Sequence, residues 1–333
     1  MSAETVTASK KGIDLRVVMG MLRRLLPFAG LALLIVLYLI STNFRPTSLH
    51  IQTFIDQVAT MAIMSTGAVF IFSLGSFDIS LGVGAAVSVC LGIMAYNAGA
   101  GVVGMFLVCL VVGMAIGFVN SVLSAVFRMP VFVMTIAMMS VLTATLQILL
   151  GGKTDLRVTT TMVEPIKALD NPYLRLGFVL VFFLICLVLF NFTKMGRRNK
   201  VLGGNPKVAE QTGISIAKQT ILTFLISGSA VGIAAFLLIA RSRAVTANTG
   251  VSLGMDVMMA IVFGGMPLAG GAYSKISAGI IGSFSMVLLS QILTMQGITT
   301  GWSQVYKAVL FLAVVFVASF SYREKMLSRA EMF

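Results

Sequence analysis

Charged residues are scarce in this chain. Only 11% of its 333 residues are Asp, Glu, Lys or Arg, and 58% are hydrophobic, whereas soluble domains carry about 25% charged residues. This composition excludes an ordinary soluble domain. The composition predicts an all-α protein with many membrane-spanning helices, because a polypeptide in lipid must satisfy its backbone hydrogen bonds internally.

The chain also has few residues suited to catalysis or metal binding. It has three cysteines and one histidine. All three cysteines lie in apolar runs, where thiols serve as packing residues, and His50 has no Cys or His near it in the sequence. These shortages argue against a disulfide framework, a metal site and a Ser/His/Asp or Cys/His catalytic set. We expect no enzymatic activity and no cofactor in this chain.

A complete nucleotide-binding motif is absent as well. Gly152-Lys153-Thr154 resembles the end of a P-loop, G-x-x-x-x-G-K-[ST], but Gln147 stands where the first glycine is needed. The net charge of +13 is not accompanied by the interleaved basic and aromatic residues of nucleic-acid-binding proteins. The sequence therefore predicts neither ATP binding by this motif nor a nucleic-acid partner.

Apolar runs occupy most of the chain. Taking about 20 residues per span, we predict ten transmembrane helices, at 25–41, 52–74, 81–97, 101–127, 131–151, 175–192, 217–240, 254–268, 276–297 and 303–322. The first run has no small-x-small cleavage site after it, so we interpret it as an uncleaved helix rather than a signal peptide. Paired small residues, Gly113 with Gly117 and Gly228 with Gly232, predict close helix packing.

Positive charge flanks one side of these spans. By the positive-inside rule, the basic residues near both ends place both termini in the cytoplasm, and they are Lys10, Lys11, Arg16, Arg23, Arg24, Arg323, Lys325 and Arg329. The predicted organisation is a cytoplasmic tail (1–24), a transmembrane domain (25–322) and a second cytoplasmic tail (323–333). Contact with anionic membrane lipid is also consistent with this charge.

The long polar interval 193–216 falls on the same cytoplasmic side. Asn205 and Pro206 have the chemistry of an N-cap and a first helical residue, and Gly213 suits a helix end, so we predict a helix of about two turns. Such a short helix is not stable alone in water. Two interpretations stay open, a docking helix for a soluble partner and a capped loop on the membrane surface.

Three carboxylates, Asp56, Asp78 and Asp256, lie at or near membrane depth, where ionisable groups are costly and mark candidate functional sites. Asp56 is close to a span end and is predicted to reach water. Asp78 and Ser80 lie in a glycine-bracketed break, where we favour capping of the next helix over contact with a solute. Lys307, in the last span, is predicted to extend to the interface.

Asp256 precedes a glycine-rich segment that cannot be a continuous helix, Gly264-Gly265-Met266-Pro267-Leu268-Ala269-Gly270-Gly271. We predict either a second interruption or a tight cytoplasmic turn there. Paired interruptions in the two halves of a membrane protein indicate a transport path.

On the outer side, the segments 152–174 and 241–253 are predicted to be solvated connectors. The alternative for both segments is a docking surface for an extracytoplasmic partner with acidic patches. Arg241 and Arg243 lie at the start of the second segment.

Four motifs, in order from about residue 50 to 322, resemble those of permease subunits of bacterial ABC importers of the ribose, xylose and galactoside type. Ser76, Met266-Pro267 and Ala308 depart from the family pattern, which leaves the identity of the sugar open. The matching residues are Gly75, Asp78, Ser80 and Gly82; Thr193, Gly196, Arg197, Gly203, Gly204, Asn205, Ala209, Gly213 and Ile214; Asp256, Gly264, Gly265, Leu268, Gly270 and Gly271; and Trp302 and Lys307.

The resemblance implies a ten-helix permease related to the cobalamin importers, working as a pair in the inner membrane and importing a sugar. The 193–216 segment, including Pro206 and Glu210, would dock on an ATP-binding subunit that holds ATP and Mg. A periplasmic binding protein would dock near Arg241 and Arg243. The alternatives are a branched-chain amino-acid or nucleoside ABC permease, and a self-sufficient secondary transporter or channel.

Overall fold

The computed structural model describes the backbone of residues 15–127, 129–159 and 163–330, and the side chains of residues 25–316 within those ranges. The predicted tail residues 1–14 and 331–333 lie outside the described residues. The helices are α1 (Leu15–Ser41), α2 (Ser48–Ser73), α3 (Leu81–Ala95), α4 (Gly101–Val126), α5 (Val131–Leu150), α6 (Val163–Lys167), α7 (Pro172–Asn191), α8 (Lys194–Gly204), α9 (Pro206–Gln211), α10 (Ile216–Ser242), α11 (Leu253–Phe263), α12 (Ser277–Met295) and α13 (Thr300–Ala330).

Two three-residue strands pair at one end of the helical bundle. β1 (Asp155–Arg157) and β2 (Ala244–Thr246) are antiparallel, with Leu156 opposite Val245. They lie in the two segments predicted to be solvated connectors, so these connectors are ordered against each other. We call this end the strand face, and the opposite end, which carries α8 and α9, the α8 face.

Within the described part of the chain, six stretches are long and apolar enough to cross a membrane, which confirms an all-α, multi-pass membrane protein. One of them combines α3 and α4 across a π-helical turn at Tyr96–Ala100, where Gly99 has a φ of +94°. The structure does not confirm ten spans. The predicted span 254–268 contains α11, whose 11 residues extend only about 16 Å at 1.5 Å per residue, half of a hydrocarbon core of about 30 Å.

The short helices α3 and α11 start beside each other. A Cβ placed on Gly82 would overlap the backbone of Gly250 and Gly254, so the two chain segments touch there without side chains between them. α3 runs from this meeting point toward the strand face, where Asn97 donates to the Arg157 carbonyl at 3.0 Å. α11 runs the other way and ends against the first residues of α12, because Gly264 packs on Ala278.

This arrangement repeats a long helix, a break and a short helix in each half of the chain. The break at 74–80 between α2 and α3 was predicted from the sequence. The corresponding break, between β2 and α11, was not predicted. The glycine-rich segment 264–271 is a tight turn, one of the two structures that the sequence predicted for it, and it follows α11 on the α8 face.

Small residues hold the core helices together. An added Cβ on Gly113 would lie 2.6 Å from the Gly232 nitrogen, and one on Gly117 would lie 2.5 Å from the Phe224 carbonyl oxygen. The predicted small-residue pairs on α4 and α10 therefore pack against each other, backbone to backbone. α2 and α10 are in contact at the centre of the bundle, where Gly67 faces Ala230.

Candidate coupling and translocation sites

The predicted two-turn helix is α9. The Asn205 side-chain oxygen accepts hydrogen bonds from the backbone nitrogens of Lys207 and Val208 at 3.0 and 3.3 Å, and Pro206 occupies the first helical position. Gly213 follows the helix with a φ of +75°, a conformation that disfavours side chains with a Cβ. The N-cap, the start and the end of this helix are confirmed.

Most of α9 faces away from the bundle. Ala209 is fully buried, whereas Pro206 and Glu210 are exposed and Val208 keeps 44% of its surface accessible. One small buried residue thus fixes the helix to the protein, and the rest of its surface is open for contact.

The segment before α9 is also helical, which the sequence reasoning missed. The Thr193 hydroxyl caps α8 by accepting from the Met195 nitrogen at 3.2 Å, and this capping residue is the signal that could have revealed the helix. Gly196 lies so close to the Phe190 carbonyl that a Cβ would overlap it. Arg197 is exposed, and Lys200 lies 4.7 Å from the centre of the Phe190 ring. Burial lowers the pKa of Lys200.

Asn199 fastens α8 to the membrane helices. Its side chain is completely buried and donates to Ser73 of α2 and Thr223 of α10, both at 3.1 Å. Its oxygen accepts from Gln219 Nε2 at 2.5 Å, and that nitrogen also donates to the Met195 carbonyl at 3.0 Å. A single side-chain amide therefore links α8 with α2 and α10. The sequence reasoning did not identify Asn199, Gln219 or Thr223.

The predicted glycines of the third motif lie on the same α8 face. A Cβ on Gly203 would overlap the Ser73 carbonyl, and one on Gly271 would lie 3.2 Å from Gly204. Gly270 packs on the backbone of residues 72–75, and Gly265 lies against Pro27. The glycine-rich turn after α11 thus packs against the end of α8 and the end of α2. Here motifs from distant parts of the sequence meet.

At the first break, Asp78 and Ser80 are both buried next to the start of α3. The Asp78 Oδ1 atom accepts from the Ser80 backbone nitrogen at 2.8 Å and from the Ser80 hydroxyl at 2.6 Å. Asn120 of α4 donates to Ser80 Oγ at 3.0 Å and to Asp78 Oδ2 at 3.4 Å. The predicted capping of α3 is therefore wrong, because Asp78 accepts from the N–H of Ser80, which precedes the helix, and the Ser80 side chain makes no cap hydrogen bond.

At the second break, Asp256 and Lys307 form an ion pair. The Lys307 Nζ atom lies 3.3 and 3.2 Å from the two Asp256 carboxylate oxygens. Lys307 is only 5% exposed and Asp256 only 8%. The prediction that Lys307 extends to the interface is wrong, because an acidic partner on α11 is within reach of the buried amine. The first turn of α11 also favours the carboxylate through the helix dipole.

Near the strand face, Asp56 is not free in water as predicted. It pairs with the buried Arg175, which also donates to Asp170 at 2.6 Å. Asp170 in turn accepts from Arg243 at 2.8 Å. Arg241 and Arg243 are both partly buried, so Arg243 takes part in an internal charge network as well as reaching the surface.

Comparisons with known proteins agree with the motif resemblance. The family model of the permease component of the branched-chain amino acid transport system matches residues 50–318. The ribose import permease protein RbsC of Escherichia coli K12 is 27% identical over 304 residues, covering 86% of this chain and 91% of that protein. The autoinducer 2 import system permease protein LsrC of Yersinia enterocolitica is 26% identical over 296 residues, covering 86% and 79%.

No solved structure matches the chain significantly. The similarity to RbsC confirms the resemblance to sugar-importer permeases that the sequence motifs indicated. The match to the family model extends over most of the chain. The chain therefore belongs to the family of permease components typified by the branched-chain amino acid transport system.

Proposed function

We propose that this chain is the transmembrane permease subunit of an ATP-driven ABC importer in the bacterial inner membrane. Its solute is a monosaccharide such as a pentose or hexose. The observation that carries the proposal is the exposed helix α9, capped by Asn205 and joined to the core through α8 and Asn199. The relatives RbsC and LsrC, both import permeases, support the same function.

The structure suits a coupling role for α8 and α9. In this account an ATP-binding subunit holds ATP and Mg and receives α9 in a cleft on its surface, near the exposed Arg197 and Glu210. Nucleotide-driven movement of that subunit shifts α8, and the Asn199 hydrogen bonds pass the shift to α2 and α10. A partner can shift the equilibrium between two states of the transport core only by the difference between its binding free energies for those two states.

The two breaks are the proposed translocation elements. α3 and α11 begin at the same level inside the bundle, with Asp78 and Ser80 at one start and Asp256 at the other. Broken helices of this kind line solute paths in transporters. The turn at Gly264, Gly265, Gly270 and Gly271 connects the second break with the α8 face. Ten membrane-associated helices, a fold related to cobalamin importers and a second permease chain belong to the same proposal.

The strand face is the proposed docking surface for a periplasmic binding protein. Arg243 remains 32% exposed while it pairs with Asp170, and Arg241 lies on the same turn. An acidic patch on the binding protein would compete for these guanidinium groups. Both termini of the chain are proposed to be cytoplasmic, on the side of α8 and α9.

A pulldown from native membranes tests this function. The tagged full-length chain should recover an ATP-binding subunit, and deletion of residues 206–212 or the substitution Arg197→Glu should remove it. Lys153→Glu, an exposed charge reversal on the strand face, is the matched control and should leave recovery unchanged. Equal recovery with and without residues 206–212 would contradict the proposed docking helix.

One observation favours a second candidate, a secondary transporter that needs no ATP. The Asp256–Lys307 pair gives a membrane-embedded acid a basic partner, which a proton or ion relay requires. Vesicles that hold the chain alone separate the candidates. Solute movement without ATP or an ATP-binding subunit would support the secondary transporter.

A further inference from the structure

A small cavity lies beside the first break, between α3, α4 and α10. Asp78, Ser80, Asn120 and Ser227 supply its polar lining, and Ile116 and Phe224 supply apolar walls. Its volume of about 10 Å³ is near the minimum that holds one water molecule. The site thus accepts a ligand of a single heavy atom.

Two polar atoms at this cavity have no hydrogen-bond partner among the described residues. They are the Asn120 side-chain oxygen and the Ser227 hydroxyl, and both residues are only 1% exposed. Leaving a buried polar group unpaired is unfavourable, so two such groups at one cavity indicate a polar ligand. Within the described residues, the Asp78 Oδ2 atom has one weak donor at this cavity, Asn120 at 3.4 Å.

We propose that the cavity binds one water molecule that joins α3, α4 and α10. The water donates one hydrogen to Asn120 Oδ1 and one to Asp78 Oδ2, and it accepts from the Ser227 hydroxyl. This arrangement satisfies every unpaired atom at the site. A monovalent cation fits less well, because the start of α3 carries a partial positive charge.

The water completes a polar row along α10. Gln219, Thr223 and Ser227 are spaced four residues apart and so lie one above the other on the helix. Gln219 and Thr223 bond Asn199 of α8, and Ser227 reaches Asp78 and Asn120 through the water. The row connects the α8 face with the first helix break, and its role in passing movement between them rests on the proposed function.

The occupancy is tested on the purified full-length chain in lipid nanodiscs, without partners. A structure at water-resolving resolution should show one water within hydrogen-bond distance of Asn120 and Ser227. Ser227→Ala should lower the melting temperature by several degrees relative to Ser229→Ala. That control removes a hydroxyl on the same helix that bonds only the Ile226 carbonyl of its own helix, at 2.7 Å.

An empty cavity, or equal melting temperatures of the two variants, would overturn the proposal. A rise in melting temperature in sodium chloride that choline chloride does not reproduce would identify a cation site and overturn it as well.

The role in coupling is tested in the reconstituted importer, where Ser227→Ala should lower the amount of solute moved per ATP hydrolysed several-fold and Ser229→Ala should not. An unchanged ratio with the water present would overturn the coupling role alone. A chain that works without an ATP-binding subunit would contradict the proposed function and leave the water site standing.

Discussion

Asn199 joins three helices through one buried side-chain amide. Its partners on α2 lie 126 and 129 residues away in the sequence, at Ser73 and Phe70. Neither hydrophobic pattern nor local capping chemistry predicts such a contact, since it exists only after α8 has folded against α2 and α10. By contrast, Asn205, Pro206 and Gly213 act on their immediate neighbours, and for that reason their roles were predictable.

Replacing Asn199 with Ala should destabilise the protein by about 1–3 kcal/mol, because Ser73, Gln219 and Thr223 lose a buried partner. Thermal unfolding of the detergent-solubilised chain measures this effect. Asn191→Ala, at an exposed position at the end of α7, is the control. If both variants unfold at the same temperature, the Asn199 contacts do not stabilise the protein.

Lys307 shows a second limit of sequence reasoning. Extension to the interface is a sound expectation for a lysine near a span end. Its partner Asp256, however, lies 51 residues away from Lys307 in the sequence, on α11. The chain break that precedes α11 was not predicted. The pairing depends on α11 beginning inside the bundle, which places the carboxylate beside α13. Recognising that α11 was too short to span would have suggested this position.

Removing one partner of the pair should cost about 3–5 kcal/mol, because the other charge remains buried alone. We expect Lys307→Met to lower the melting temperature strongly and the double variant Asp256→Asn with Lys307→Met to recover much of the loss. A double-mutant cycle measured by thermal unfolding checks this. Additive losses would show that the two residues do not interact.

At the scale of elements, α8 and α9 form one unit with opposite tasks. α8 is fixed to the core by Asn199 and by the close approach of Gly196 to Phe190, whereas α9 exposes most of its surface. The caps of both helices are visible in the sequence, at Thr193 and Asn205. What the sequence does not show is how α8 sits on α2 and α10.

The N-cap of α9 can be tested without changing the residues of the helix itself. Asn205→Ala should cost about 1 kcal/mol of helix stability, and it should weaken binding of the ATP-binding subunit several-fold because α9 frays. Asn205→Asp keeps a side-chain acceptor and should bind like the wild type. Binding measured on the reconstituted pair decides this, and equal affinity of the Ala and Asp variants would show that the cap is not needed for docking.

At the scale of the whole molecule, composition alone predicted an all-α multi-pass protein, and the structure confirms it. The family was also accessible from the sequence, because its motifs are short and local. The meeting of α3 and α11 at Gly82, Gly250 and Gly254 was not, since it depends on two chain breaks folding back into the bundle. That junction is where the paired interruptions become one candidate path.

Solute uptake by proteoliposomes that contain this chain, its ATP-binding subunit and its binding protein tests the proposed function directly. Radiolabelled pentoses and hexoses are offered one at a time, with ATP or a non-hydrolysable analogue available to the ATP-binding subunit. The proposed function predicts uptake of a monosaccharide with ATP only, and its loss when residues 206–212 are deleted. Uptake that continues with the analogue, or after that deletion, would contradict it.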